Sequence, residues 1–202
     1  KHLLCYFNCL FIYISINNFM IREFKPYSKH IFNEKVAYHL KLEKSSDDQF
    51  ATFNKKLRSQ IRKAIKNGIT IEQGNLEDFY AIYTENMHYK HGSPQLSHEF
   101  FNNLLHSYSS GEVKIFIAKF NEKVIGSCLM VGFHDFIEVC WAATSVKYNH
   151  LSPNMLLYWT MISYAVDHEY RIFSFGRTNR DSGSQRFKKQ WGAVEIPLVW
   201  SS

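Results

Sequence analysis

Residues 114–145 read KIFIAKFNEKVIGSCLMVGFHDFIEVCWAATS. Three apolar blocks, 114–120, 124–133 and 136–145, are separated only by Asn121-Glu122-Lys123 and His134-Asp135. Connections this short join neighbouring strands as hairpins, so the stretch predicts a three-stranded antiparallel meander. Cys128 and Cys140 fall inside the blocks, where a lone cysteine packs as a small hydrophobe.

Downstream, Ser152-Pro153 marks a helix start, with Ser at the cap and Pro at the first helical position, where its missing N–H costs nothing. Met155, Trp159, Ile162 and Val166 then form a buried stripe. A strand over 171–176, a polar glycine-bearing loop and a last strand over 194–200 follow. Upstream, residues 34–42 alternate around Val36, Tyr38, Leu40 and Leu42, as a half-buried strand does. One helix is predicted over 47–67, where Phe50, Phe53, Leu57, Ile61, Ala64 and Ile65 recur at spacings of three or four and Gly68 supplies the stop. A short strand over 69–73 leads to a helix capped by Asn75, with Leu76, Phe79, Tyr80, Tyr83 and Met87 on one face. His91-Gly92-Ser93-Pro94 breaks it, and a further helix is predicted over 97–108. The expected class is α/β of the α+β kind: a mixed, mainly antiparallel sheet flanked by helices.

At 202 residues and 46% hydrophobic, the chain has enough apolar surface for one packed core, which excludes a disordered polypeptide. Lys and Arg total 24 against 18 Asp and Glu, a net charge of +6 that favours anionic partners. The charge is concentrated in two blocks. Lys55, Lys56, Arg58, Arg62, Lys63 and Lys66 form one, and Arg177, Arg180, Arg186, Lys188 and Lys189 the other. The four cysteines set out no disulfide framework, and the ten histidines no metal-ligand spacing, so no metal site is expected. Residues 3–21 carry no charge. We read residues 1–33 as the remnant of a preceding domain, with a hydrophobic membrane anchor as the alternative, and 34–202 as the principal domain.

Chemistry points to the stretch from Phe175-Gly176-Arg177 through Arg186-Phe187-Lys188-Lys189-Gln190-Trp191-Gly192, where glycines permit tight turns and cations gather beyond a strand end. A solvated basic loop is the plainer reading. Glu138, flanked by Ile137 and Val139, suits a general base with a raised pKa, unless strand alternation turns it to solvent. Tyr148, Asn149, Asn154 and Tyr158 surround a helix start and are candidates to line a donor cleft. Trp159 fits the core, while Trp191 reads either as a lid or as a packing anchor. The basic block over 55–66 suits RNA phosphates or an anionic lipid surface, or is simply solvated.

Three motifs together resemble FemAB-related proteins, most of all the subgroup associated with exosortase and PEP-CTERM exopolysaccharide systems. They are Leu57-Arg58-Ser59-Gln60-Ile61-Arg62-Lys63-Ala64 with Lys66-Asn67-Gly68, Tyr148-Asn149 with Leu151 through Trp159, and Phe175-Gly176-Arg177 with Arg186 through Gly192. The likeness runs over residues 34–200. It implies a GNAT-like catalytic domain, normally the second of a tandem pair, whose order of elements matches the one read above. It also implies cytoplasmic transfer of an amino acid from aminoacyl-tRNA to an amine of a peptidoglycan precursor. In the subgroup the acceptor is a polysaccharide or lipid-linked intermediate instead, reached at the inner face of the membrane. The family implicates the basic residue of the Arg-Phe-Lys-Lys motif, here Lys188; Arg186 and Glu138 complete the expected catalytic set. Arg177, Arg186, Lys189 and Trp191 are then expected around substrate phosphates or carboxylates.

Acyl transfer to an amine needs a deprotonated amine and a stabilised oxyanion, and no cofactor. Acetyl-CoA-dependent members of the fold usually cradle pyrophosphate in a glycine-rich turn, whereas residues 146–154 contain no glycine. A CoA donor is therefore disfavoured against aminoacyl-tRNA. The competing readings are an acetyl-CoA-dependent N-acetyltransferase, a non-catalytic RNA-binding module on the same scaffold, and a membrane-anchored interaction protein.

Overall fold

In the computed structural model, which describes residues 35–94, 96–108 and 112–198, β3 (Val113–Phe120), β4 (Lys123–Phe133) and β5 (Phe136–Thr144) pair as an antiparallel meander. Asn121 and Glu122 adopt φ of 49° and 62°. Two residues rather than three thus make the first hairpin turn, in the hand that suits strand twist. β2 (Thr70–Gln73) adds to the outer side of β3, again antiparallel. The accompanying helices are α1 (Ser46–Thr52), α2 (Lys55–Lys66), α3 (Leu76–His91), α4 (His98–Ser107) and α5 (Pro153–Asp167), with a 3-10 helix over Val146–Leu151.

Both faces of the meander are covered. Ser127 donates to the Phe79 carbonyl at 3.3 Å, so the face bearing Ser127, Leu129 and Val131 meets α3. The rings of Phe116 and Tyr164 lie 5.4 Å apart, so the face bearing Phe116, Cys128 and Met130 meets α5. This double cover is why β4 reads as a continuous apolar run instead of an alternation. Burial pushes the Cys128 thiol up to about 12, leaving it an inert core group.

The single helix expected over 47–67 is two. Phe53 is extended, with ψ of 144°, and the Asn54 side chain accepts a hydrogen bond from the Leu57 N–H at 2.9 Å, starting a new helix. Periodicity was blind to the break because Phe50 and Phe53 pack around Trp159 of α5, at 5.0 and 5.7 Å, in register with the buried side of α2. Trp159 is correspondingly half-buried rather than fully enclosed. Gly68 ends α2 at φ +81°, and Asn75 caps α3, as expected. On α3 the buried set is Leu76, Phe79, Ile82, Tyr83 and Asn86, while Tyr80 and Met87 are half-buried. Pro153 opens α5, but Ser152 sits at φ 63° and its hydroxyl makes no cap bond. The preceding 3-10 helix delivers the chain into α5 in place of the cap.

Residues 41–173 form one compact unit, and 35–40 with 174–198 a second. In the smaller unit β1 (Lys35–Lys41) pairs antiparallel with β7 (Val194–Pro197), Val36 opposite Pro197 and His39 opposite Val194. Its strand order is β6-β1-β7, with β6 spanning Ile172–Asn179. The segment expected to be a polar loop contains α6 (Gly183–Lys189), whose first turn is capped by the Ser182 hydroxyl accepting from the Gln185 N–H at 3.2 Å. Seven strands and the flanking helices thus give the expected mixed, mainly antiparallel α/β fold. Among the described residues no helix is long and apolar enough to cross a membrane. Residues 1–33, assigned from sequence to a domain remnant or an anchor, lie outside the described residues.

Burial on β1 lowers the His39 pKa from 6.5 to about 4. Because the unfolded chain binds this proton first, stability is complete above pH 6.5 and falls as pH drops toward 4. The contribution amounts to about 3 kcal/mol at most. Urea midpoints at neutral and mildly acidic pH should show the loss, and His39→Gln should flatten it. An unchanged pH dependence in His39→Gln would refute the assignment.

Candidate active site

Within the smaller unit the site is organised by Lys188. It lies on the inner face of α6, is only 6% exposed, and its Nζ donates to the carbonyls of Gly176 at 2.9 Å and Arg177 at 2.8 Å. Consecutive carbonyls of a regular strand point to opposite sides. Here both reach one ammonium because Gly176 has φ +66°, a left-handed bend that a residue with a Cβ adopts only under strain. Ser174 Oγ accepts the Gly176 N–H at 3.1 Å and secures the bend. The two halves of the C-terminal motif, eleven and twelve residues apart, therefore meet at this lysine.

Around it the structure adds residues that sequence reading passed over. Tyr38 is fully buried; its hydroxyl donates to Glu195 Oε2 at 2.8 Å and accepts from Gln185 Nε2 at 2.9 Å. Arg180 pairs with Glu195 Oε1 at 2.6 Å. The Tyr38 hydroxyl, and after it Arg180, hold the Glu195 carboxyl below its ordinary value. Thr178, Ser182 and Ser184 form a hydroxyl cluster at the start of α6. Tyr38 was visible only as one apolar position of a strand, and Gln185 only as a loop residue. Nothing in a linear pattern marks a buried polar network closed across 157 residues.

The predicted site residues of this unit fall into inner and outer groups. Arg177 is half-buried beside Lys188, while Arg186 and Lys189 are exposed on α6. Lys189 Nζ lies 6.0 Å from the Tyr38 ring centre. Trp191 is 1% exposed and packs against Phe175 and Phe187 at 6.3 and 6.1 Å.

The larger unit holds the remaining candidates. Glu138 is half-buried on β5, opposite Val131. A bulge shifts the register so that Leu129 faces Trp141 while Met130 faces Val139, leaving Cys140 as the extra residue. Glu138 and Trp141, three apart, therefore share the face that meets α3 and α4, where Trp141 packs on Phe101 at 5.0 Å. A pocket of about 150 Å³ lies at this bulge, lined by Phe79, Tyr83 and Met87 of α3 and by Cys140 and Trp141. Tyr148 and Asn149 sit on the 3-10 helix, and Asn149 Oδ1 accepts from the Thr144 hydroxyl at 3.2 Å. Asn154 and Tyr158 lie on the first turns of α5, and burial raises the Tyr158 pKa. Lys55, Lys56, Arg62, Lys63 and Lys66 are exposed on α2, and Arg58 is half-buried. Among the described residues no group of His, Cys, Asp and Glu is placed to hold a metal ion.

A bulged central strand, a capless helix following it and a meander covered on both faces define an N-acyltransferase scaffold of the GNAT type. The sequence profile described as an acetyltransferase (GNAT) domain matches residues 51–189, and the chain belongs to that family. Such enzymes move an acyl group from a donor to an amine acceptor. No curated protein sequence matches. Among solved structures, FemX is similar with a TM-score of 0.72 at 17% identity, over 91% of this chain and 66% of FemX. L-PGS from Bacillus licheniformis is similar with a TM-score of 0.59 at 12% identity, over 81% of this chain and 59% of that one. An aminoglycoside acetyltransferase from an uncultured soil metagenomic sample gives 0.54 at 13% identity, over 68% of this chain and 97% of that one. At these identities the likeness is one of fold. The chain spans less than two-thirds of FemX and of L-PGS.

Proposed function

We propose that this domain is a FemAB-type N-acyltransferase that moves an aminoacyl or acyl group from its donor to an amine of a cell-envelope precursor, related to peptidoglycan or exopolysaccharide. The reading is of a cytoplasmic enzyme, working at the inner face of the membrane, in the exosortase and PEP-CTERM-associated subgroup that the three sequence motifs resemble. One observation carries it. The Lys188 ammonium is held in place by the Gly176 and Arg177 carbonyls, so the two most FemAB-like segments of the C-terminal motif converge on a fixed, desolvated charge.

A fixed positive charge is one way to stabilise the oxyanion of acyl transfer to an amine. The amine nitrogen attacks the acyl carbon, the carbonyl oxygen gathers negative charge, and the ester bond to the tRNA ribose breaks as the tetrahedral species collapses. The charge on Lys188 favours the oxyanion, and it costs no reorganisation because the carbonyls already orient it. The attacking amine gives up a proton, and a proton ends on the departing ribose hydroxyl. Arg177, Arg186 and Lys189 hold phosphate or carboxylate groups, and Tyr148, Asn149, Asn154 and Tyr158 line the donor side. Aminoacyl-tRNA is favoured over acyl-CoA because the 3-10 connection between β5 and α5 supplies no glycine-rich cradle for pyrophosphate.

The test is to offer the protein a pool of charged tRNAs and acyl thioesters, acetyl-CoA included, with amine-bearing envelope precursors. Mass spectrometry then identifies the donor consumed. The expected result is loss of one aminoacyl ester and the matching mass gain on the acceptor. Consumption of acetyl-CoA with charged tRNA untouched would replace this reading by the acetyltransferase one.

A further inference from the structure

We propose that α2, the 3-10 helix and the β3–β4 hairpin together form a docking strip for RNA, which seats the tRNA of the donor. Its assignment to a donor rests on the function proposed above; the strip itself rests on geometry. Along α2, Lys55, Lys56, Arg62, Lys63 and Lys66 are exposed from the first residue to the last. No acidic residue occurs over 54–71 or 139–166.

The end of α2 is joined to the other two elements. Asn67 Nδ2 donates to the Leu151 carbonyl at 3.3 Å, which ties α2 to the 3-10 helix. The ring of Phe120, the last residue of β3, lies 6.2 Å from that of Tyr148. Over the Tyr148 ring stand Lys123 Nζ at 5.7 Å and Lys147 Nζ at 5.5 Å. A half-buried aromatic ring flanked by two ammonium groups matches the way single-stranded nucleic acid is held, with a base on the ring and phosphates on the cations.

Length and apolar bookkeeping choose the partner. The 12 residues of α2 rise about 18 Å, comparable to roughly five phosphates of one strand at about 3.4 Å each. That is far more than one pyrophosphate occupies, so the strip suits a polyanion. A bilayer would need the apolar face of an amphipathic helix, but Leu57, Ile61 and Ala64 are buried and α2 packs on α5. What remains outward is cationic, with Ile65 and Val146 as single apolar side chains.

The experiment is fluorescence anisotropy with labelled tRNA across a salt series. The protein is compared with a Lys63→Glu, Lys66→Glu, Lys123→Glu and Lys147→Glu variant, with Tyr148→Ala, and with Lys90→Glu as a control away from the strip. The charge-reversed variant should lose at least about tenfold in affinity, and its salt slope should become shallower by about three. Tyr148→Ala should lose about tenfold with the slope unchanged. Should the glutamates unfold the protein, the matching Lys→Gln set reads the same loss. Unaltered tRNA affinity in the reversed variant overturns the proposal. So does strip-dependent sedimentation with phosphatidylglycerol vesicles in a protein that ignores tRNA. Binding is read without chemistry: a protein that binds tRNA through the strip yet consumes no donor sinks only the acyltransferase reading, whereas one that consumes charged tRNA with its strip variant binding normally sinks only the strip.

Discussion

Lys188→Met is expected to lower the transfer rate by about 100-fold or more and to cost about 3 kcal/mol of stability. Methionine keeps an unbranched, apolar stem one atom shorter and removes every donor. The Gly176 and Arg177 carbonyls then lose the ammonium that each accepts from at 2.9 and 2.8 Å. A buried acceptor left without its partner costs about 1–3 kcal/mol. The rate loss has a separate origin, since one preorganised oxyanion-stabilising group is worth about 100-fold to 1,000-fold in kcat. The two effects are separable by chemical denaturation and by transfer assayed on the folded fraction. Lys188→Arg, which keeps a charge, should recover part of the rate. If Lys188→Met loses stability while its folded fraction transfers within about threefold of the parent, the lysine is only a clamp for the Gly176 bend and the catalytic assignment fails.

The sequence revealed the meander, the order of elements and most helix limits because those follow from local period and punctuation. It was silent where tertiary contacts overrule them. Asn54 splits a helix that hydrophobic spacing reads as one, since α1 and α2 bury aligned faces against the same α5. The polar, glycine-bearing character of 177–193 hid α6, a helix of 7 residues whose inward side chains are Gln185 and Lys188. A binary hydrophobic pattern cannot register a helix that buries an amide and an ammonium. The contact between Lys188 and the 176–177 segment was legible only as two pieces of one motif, and the network around it was not legible at all. Tyr38 and Glu195 come from strands far apart in the chain and meet only because β1 pairs with β7. The bulge at Cys140 likewise cannot be read from alternation, and it is what sets Glu138 and Trp141 on one face.

Trp191→Ala is expected to cost about 4 kcal/mol, the usual range for emptying a fully buried aromatic site, and to lower the melting temperature by about 10 °C. The tryptophan follows the lysine pair and invites the reading of a mobile lid over substrate. Its surroundings argue otherwise: it is 1% exposed and held between Phe175 of β6 and Phe187 of α6. The backbone N–H of residue 191 donates to the Lys188 carbonyl at 3.2 Å, a bond that any residue but proline keeps there, so the part of the anchor special to tryptophan is its ring packing. Loss of the indole empties the space between Phe175 of β6 and Phe187 of α6, so Lys188 should drift from the Gly176 and Arg177 carbonyls, and kcat should fall along with stability. Trp191→Phe keeps a ring in the same space and should restore most of both. A lid would behave in the opposite way, with KM raised and the melting curve unmoved. Thermal melts of the two variants, run beside the transfer assay, decide between them: a Trp191→Ala protein within about 1 kcal/mol of the parent would return this residue to the substrate side of the site.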